Sequence, residues 1–161
     1  MANLYTTING AQPTTAAPVK VATGTSVLTM LQITNGSTRP LKLVEWGCSF
    51  DASAAATPIE VELFGTTVAA TSMNTGFVST YDDPNAPASQ VSSVQYWKTG
   101  QAEGTVANYR PADLQLLPPT NPYIKQWPLG REFQVAVSTY LRVRVTAGTS
   151  VNMYCYVIWE E

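Results

Sequence analysis

The sequence predicts an all-β protein, an antiparallel β-sandwich of the jelly-roll type with about eight strands and an extended N-terminal arm. Three observations support this prediction. Several runs alternate apolar and polar side chains, which is the period of a half-buried strand. Gly- and Pro-rich turns separate these runs, and no stretch keeps a helical period. Long connections at 71–90 and 111–122 suit a jelly roll better than a tight meander.

The composition limits the class of protein. The chain has 161 residues, enough for one domain with a sizeable core. Only 12% of the residues are charged, which is low for a globular protein and favours a surface that packs against other chains. The formal net charge of −2 gives no general attraction to nucleic acid or to an anionic membrane. No bilayer-spanning run or signal peptide is visible, which favours synthesis and residence in a cytosol.

Residues 1–25 are expected to form the arm, and residues 26–161 the sandwich domain. The arm is rich in Thr, Ala and Pro, and its two interior prolines exclude a helix. Leu4, Tyr5 and Ile8 suit a short strand. Two interpretations stay open: an arm that becomes ordered on a neighbouring subunit through these three side chains, or a frayed terminus without a role.

Strands are expected at 26–34 and 41–50, with an Asn-Gly turn between them. The second strand changes its apolar parity. Leu41 and Leu43 share one face, whereas the other face holds Val44, Trp46, Cys48 and Phe50. Either a β-bulge lies near residues 43 and 44, or both faces of the strand are covered.

The middle of the chain combines strands with long connections. IEVELF alternates regularly, with its glutamates facing water. Residues 71–90 predict a surface loop, and loops of this length usually carry function or contact a partner, so a glycan or a host surface stays open as its ligand. Strand-like runs resume at VSSVQYW and GTVANYR, and LLPPTNP predicts an extended connector.

The segment YIKQWPLGREFQV, residues 123–135, is dense in charged and aromatic side chains. Its first residues predict a short strand. Pro128 ends the strand because it lacks an N–H donor, and Gly130 permits a turn before Arg131. We interpret the segment as a sheet corner with Trp127 as its anchor, not as an active site.

The last two predicted strands are YLRVRVTA and VNMYCYVIWEE. In the first, Leu and Val side chains face the core, while Arg142 and Arg144 face water. The final strand has a complete apolar core face, yet its other face carries Tyr154, Tyr156 and Ile158. A half-solvated strand rarely has this pattern. Either a second layer of the same domain or another subunit must cover these three side chains, and we favour the subunit.

The sequence offers little catalytic chemistry. It contains no histidine, which excludes the Ser-His-Asp triad, the Cys-His pair and the commonest zinc ligand. Cys48 and Cys155 lie in apolar runs and are interpreted as buried thiols, although the sequence leaves their pairing open. Glu60 and Glu62 are the remaining acid pair, with a spacing that any half-exposed strand produces. We therefore predict a protein that is not an enzyme and uses no cofactor or metal.

Seven segments together resemble small β-rich virion structural proteins of tailed bacteriophages, over most of residues 41–161. They are VEWGCSFD, VELFGTTVAAT, YDDPNAPAS, AEGTV, NPYIKQWPLGREF, YLRVRVTA and CYVIWEE. The resemblance implies a capsid decoration, or cement, protein that binds the outside of the shell and stabilises it through subunit contacts. It places the protein on the virion, after assembly in the host cytoplasm. The implied partners are further copies, with a trimer natural for a shell, and the major capsid protein; neither nucleic acid nor a membrane is expected.

Two alternatives to capsid decoration stay open. One is a tail or head-fibre component, a related role of such virion proteins. The other is a lectin-like module, because jelly rolls also host sugar-binding sites. Its aromatic platform would come from the four tryptophans, but core packing is the favoured interpretation of the first and last. These residues are Trp46, Trp97, Trp127 and Trp159.

Overall fold

A computed structural model describes residues 2–52 and 57–161. These residues form two antiparallel β-sheets packed together, and no helix occurs among them. The predicted all-β sandwich is thus confirmed. The thirteen strands of the described residues are β1 (Leu4–Ile8), β2 (Val21–Ala22), β3 (Val27–Thr34), β4 (Leu41–Phe50), β5 (Ile59–Thr66), β6 (Asn74–Thr75), β7 (Ser79–Thr80), β8 (Ser93–Tyr96), β9 (Arg110–Leu117), β10 (Tyr123–Gln126), β11 (Phe133–Val135), β12 (Tyr140–Thr146) and β13 (Asn152–Glu160).

One sheet has seven strands and the other has six. The seven-stranded sheet has the order β10-β4-β13-β1-β7, and in addition β11 pairs with β4 and β2 pairs with β13. The six-stranded sheet has the order β6-β8-β3-β12-β5-β9. Strands β1 and β13 pair antiparallel, so the two ends of the chain lie side by side within one sheet.

The hydrophobic core lies between the two sheets and is built by alternation along the strands. In β13, Met153, Cys155, Val157 and Trp159 are at most 2% exposed. Strand β5 alternates as predicted, with its Ile, Val and Leu side chains buried. Burying one such side chain stabilises the fold by roughly 1.5–3 kcal/mol, so this alternation supplies most of the driving force for packing.

The parity change in β4 is a β-bulge. Ile158 of β13 pairs with Glu45, and the next residue, Trp159, pairs with Leu43, so Val44 is the extra residue. The bulge lets both Leu43 and the apolar residues after it reach the core. The first of the two alternatives drawn from the sequence is therefore the one observed.

The predicted arm over residues 1–25 is not confirmed as a separate element. Both Leu4–Ile8 and Val21–Ala22 lie along β13. Only the segment between them leaves the sheet, and its residues 11–20 are all exposed. A strand pairing between the two ends of the chain is a long-range contact that the local composition does not reveal.

The region after residue 70 also differs from the prediction. The loop at 71–90 contains the short strands β6 and β7, and the expected strand GTVANYR is shifted to β9. Gly104 and Asn108 have φ angles of 67° and 52°, left-handed conformations that interrupt a strand. Residues 111–117, expected in a connector, instead belong to β9.

The segment at 123–135 is a loop within one edge of a sheet rather than a corner between sheets. Strands β10 and β11 both pair with β4. The turn between them lies where it was predicted, because the Arg131 N–H donates to the Pro128 carbonyl at 3.0 Å and Gly130 has a φ of 79°. The Trp127 N–H donates to the carbonyl of Val44 at 3.0 Å, so the loop leaves the sheet beside the bulge.

Candidate interaction surface

The outer face of the seven-stranded sheet carries an apolar groove of about 380 Å³. Strand β13 lies along its floor, and strand β1 and the segment before β2 form its sides. The groove contains no charged side chain in its lining. The lining residues are Ile8, Pro18, Tyr154, Cys155 and Tyr156.

Tyr156 is held flat against the sheet by a glycine. A Cβ atom at Gly47 would lie 2.6 Å from the Tyr156 ring, so only glycine lets the ring rest on β4. The Tyr156 hydroxyl donates to the Glu45 carboxylate. Burial, and then this carboxylate, raise the pKa of Tyr156 above its usual range, so the phenol stays a neutral donor.

Tyr154 connects the sheet face to the exposed segment before β2. Its side chain is 36% exposed, and its hydroxyl donates to the Pro18 carbonyl at 2.8 Å. A smaller groove of about 120 Å³ adjoins the first, and its lining includes both tyrosines together with Tyr123 and Ile124. Ile124 is 61% exposed, so apolar surface continues from the groove toward β10.

The structure separates the six predicted interface residues. Ile8, Tyr154 and Tyr156 come together at the groove. Tyr5 and Ile158 are only 2% and 4% exposed, so they are buried within the chain itself. Their assignment to an interface is wrong: pairing of β1 with β13 turns Tyr5 into the core, where it stacks on Trp159 with ring centroids 6.1 Å apart. The remaining residue, Leu4, is partly buried and pairs with Glu160, away from the groove.

The residues predicted as a corner do not line the groove. Trp127 packs partly buried against the core, with the Lys125 ammonium 5.2 Å from its ring centroid. At the tip of the turn, Leu129 is 93% exposed. Pro128 and Gly130 thus shape a protruding turn, which fits the predicted structural role of this segment.

At β9, the outer face of the six-stranded sheet stays open, because Leu114 and Leu116 are 56% and 69% exposed. Around β3 and β12, the same face is covered by the chain's own loop at residues 97–109. Arg142 is completely buried there, and its Nη2 donates to Thr29 Oγ1 at 2.6 Å. Glu103 of the loop forms an ion pair with Arg142 and accepts from the Thr29 hydroxyl at 2.9 Å. Burial lowers the pKa of Arg142, while Glu103 opposes that shift.

Arg144 on the same face is also largely buried. It donates to Glu62 at 2.5 Å, and its guanidinium lies 4.8 Å from the ring of Phe64. The prediction that both arginines of β12 face water is wrong. They do point away from the core, but the loop at 97–109 covers Arg142, and Tyr109 packs at an angle against Phe64, the ring that also contacts Arg144.

A buried carboxylate that the sequence analysis missed links the two sheets. Asp113 of β9 is 7% exposed and accepts from Trp46 Nε1 at 3.1 Å and from the Tyr123 hydroxyl at 2.8 Å. Lys125 lies 3.2 Å from it. Burial acts to raise the pKa of Asp113, but the hydrogen bonds from Gln115, Tyr123 and Lys125 outweigh it, and the pKa is lowered. Asp113 lies an even number of residues from the end of β9 that faces the core. Side-chain parity was therefore the signal that could have shown that Asp113 also faces inward.

The candidate reactive groups from the sequence are the acid pair Glu60 and Glu62 and the two cysteines. Glu60 is exposed, whereas Glu62 is engaged by Arg144 and by the hydroxyl of Tyr109, 3.1 Å away. Cys48 and Cys155 face each other across β4 and β13 as free buried thiols. Burial raises the pKa of Cys48 to about 12 and raises that of Cys155 well above its usual value, so neither thiol ionises near neutral pH.

Residues 2–52 and 57–161 contain no group of three or more Cys, Asp or Glu side chains placed to hold a metal ion. No helix among them is long and apolar enough to cross a membrane.

Comparison with known proteins returns no match to a protein-family model, a curated protein or a solved structure.

Proposed function

We propose that this protein is a structural virion protein of a tailed bacteriophage, a decoration protein that binds the outer capsid surface and stabilises it through subunit contacts. The observation that carries the proposal is the uncharged apolar groove at Tyr154 and Tyr156. It lies on a chain with only 12% charged residues. Such a surface suits permanent contact with another protein.

The strand pairing supports a jelly roll as the type of sandwich. Five antiparallel pairings form four nested levels along the chain: β5 with β9 innermost, then β4 with β10 and β11, then β3 with β12, and β1 with β13 outermost. Folding one long hairpin into two sheets produces this nesting, which is the topology of a jelly roll. Viral capsid domains commonly use this architecture.

The groove can provide binding energy at low cost. Its lining holds no charge, so a partner does not have to desolvate an ion. Each tyrosine offers a large ring while its hydroxyl is already satisfied, by Pro18 for Tyr154 and by Glu45 for Tyr156. Central aromatic side chains of this kind typically contribute about 2 kcal/mol or more to an interface.

The exposed segment before β2 is proposed to take part in the same contact. Pro18 lines the groove, and Val19 beside it is 69% exposed. The partners of this combined surface are proposed to be further copies of the chain, with three-fold symmetry natural for a shell, and the major capsid protein. The N-terminal contact with a partner is thus proposed only for the segment between β1 and β2.

The proposed role is structural, without catalysis, cofactor or metal. Glu62 is held in an ion pair with Arg144, so it does not act together with Glu60 as a catalytic acid pair. Hydrolysis of peptidoglycan or of a polysaccharide by the purified protein, abolished by Glu60→Gln, would contradict this part of the proposal.

The test of the proposal uses purified phage particles. Mass spectrometry should detect the protein, and cryo-electron microscopy should place it on the capsid. The double variant Tyr154→Ser, Tyr156→Ser should fold but be lost from the particles. Leu129→Ser is the matched control, because it removes an exposed apolar side chain outside the groove. Absence of the protein from particles, or unchanged occupancy of the double variant, would contradict the proposal. Density on the tail or on a head fibre would instead assign the protein to that part of the virion.

A further inference from the structure

A second cleft, separate from the apolar groove, lies between the edges of the two sheets. It has a volume of about 300 Å³, the lower end of the range for small-molecule sites. One wall comes from β2 and the start of β13, and the other from β6 and the end of β8. Two aromatic and several polar side chains meet in it: Lys20, Asn74, Tyr96, Trp97 and Asn152.

The polar side chains of this cleft are fixed in place. Asn74 donates through Nδ2 to the Trp97 carbonyl at 3.1 Å, and Asn152 donates through Nδ2 to Asp51 at 3.0 Å. Because their amide nitrogens are engaged, both asparagines offer their carbonyl oxygens as acceptors. The Lys20 ammonium lies 2.8 Å from Asp51, which uses one of its three donors.

The cleft therefore offers donors and acceptors next to aromatic rings. The Trp97 indole N–H donates, and the Tyr96 hydroxyl both donates and accepts. Both rings pack against the core on one side and are partly exposed on the other. The charge of Lys20 is balanced by Asp51, so the cleft favours a neutral ligand over an ionic one.

We propose that this cleft binds a neutral carbohydrate, one pyranose ring of a glycan chain. A pyranose has hydroxyl groups that donate and accept at once, which matches the mixture of amide oxygens, indole and ammonium. It also has a C–H face that stacks on an aromatic ring, here that of Trp97. A cleft of this size holds a single sugar ring, with the chain continuing into solvent.

This binding activity goes beyond a capsid contact and does not depend on it. The sugar cleft uses none of the tyrosines of the groove. A decoration protein with such a cleft would present it to glycans in the medium or on a cell. The single variant Tyr156→Ser, which keeps the hydrogen bond from Tyr154 to Pro18 and so the segment that lines the cleft, should therefore bind sugar as the wild type does.

The first experiment maps the site on the unmodified protein by NMR. The probes are the methyl glycosides of glucose, galactose and mannose, together with N-acetylglucosamine, and glucuronic acid serves as a charged comparison. At least one neutral sugar should bind with a dissociation constant on the order of millimolar. Its shift changes should centre on the Trp97 indole and on the side-chain amides of Asn74 and Asn152. No binding by any neutral sugar, or shifts centred elsewhere, would overturn the proposal.

The second experiment uses variants, with affinity measured by the same titration. Trp97→Ala should weaken binding about tenfold, because the stacking ring is lost. Trp97→Phe should keep most of the affinity, since a ring face remains, and Tyr96→Phe removes only a hydroxyl and should weaken binding severalfold. Trp127→Ala, which changes a tryptophan outside the cleft, is the control. Wild-type affinity in both Trp97→Ala and Tyr96→Phe, or an equal loss in Trp127→Ala, would overturn the proposal.

Discussion

The two outer faces of the sandwich are completed in different ways. On the six-stranded sheet, the chain's own loop covers the fully buried Arg142 and supplies Glu103 as its ion-pair partner. On the seven-stranded sheet, Tyr154 remains 36% exposed beside an uncharged groove. The charged surface around Arg142 is therefore closed, whereas the apolar groove is open; at β9 of the six-stranded sheet, Leu114 and Leu116 also remain exposed. The side-chain types on a strand do not decide which face meets water; the loops do.

The largest expected loss of stability comes from removing the Glu103 carboxylate that pairs with the buried Arg142. Glu103→Ala leaves the Arg142 guanidinium buried without its carboxylate, and we expect the free energy of unfolding to fall by about 3 kcal/mol or more. Urea denaturation measures this change. The double variant Glu103→Leu, Arg142→Met replaces both charges and should lose less than Glu103→Ala alone. A loss below about 1 kcal/mol in Glu103→Ala would show that the loop does not hold this face closed.

A somewhat smaller loss of stability is expected when Asp113, which links the two sheets, is replaced. Asp113→Ala leaves the Trp46 indole N–H and the Tyr123 hydroxyl without their acceptor, which should cost about 1–3 kcal/mol in the free energy of unfolding. Because Asp113 joins the sheets, this loss should loosen both faces equally, as hydrogen exchange of β4 and of β9 would report. Protection lost in only one sheet would contradict this role.

The contribution of Asp113 to stability should also depend on pH. The folded-state pKa of Asp113 is lowered, so its contribution to stability is complete above the unfolded value of about 3.9 and is lost as the pH falls through the folded-state pKa. Asp113→Asn cannot titrate, and its stability should fall less steeply below that value. Equal acid sensitivity in the variant and the wild type would assign the acid transition to other carboxylates, such as Asp51, whose pKa is lowered to about 2 by Lys20 and Asn152.

On the open face, the effect on stability should be small and the effect on association large. The double variant Tyr154→Ser, Tyr156→Ser is expected to lose only about 1 kcal/mol in the free energy of unfolding. Its affinity for other subunits or the shell should fall roughly thirtyfold, as measured by sedimentation and particle binding. If the variant unfolds while the wild type is monomeric off the particle, the tyrosines belong to the protein's own interior.

The smallest effect is expected at the exposed turn. Leu129 is 93% exposed, so Leu129→Ser should change the free energy of unfolding by no more than about 0.5 kcal/mol. It should also leave association unchanged, because the turn lies outside the groove. A loss of association equal to that of the tyrosine variant would show that exposed apolar area alone, not the groove, drives the contact.

Local patterns predicted much of the fold. Side-chain parity, which needs only neighbouring residues, predicted the regular alternation of β5 and gave a bulge near residues 43 and 44 as one of two alternatives for β4. The same reasoning identified Tyr154 and Tyr156, because the last strand carries large apolar or aromatic side chains on both of its faces. These features are local because side-chain parity has a period of two residues.

The remaining features depend on contacts between distant parts of the chain. Glu103 reaches Arg142 through a loop whose course the sequence does not specify. The pairing of β1 with β13 moved Tyr5 from a predicted interface into the core. Pro18, which the sequence analysis used only to exclude a helix, lines the groove because its segment folds back to Tyr154.

The open face is tested most directly by hydroxyl-radical footprinting of two tyrosines with similar exposure. Tyr154 lies on the open face and is 36% exposed, whereas Tyr109 packs on Phe64 at the closed face and is 42% exposed. Both should react in the free subunit. In assembled particles, we expect Tyr154 to become protected while Tyr109 reacts as before. Protection of Tyr109 with an unchanged Tyr154 would contradict the assignment of the contact to the seven-stranded sheet.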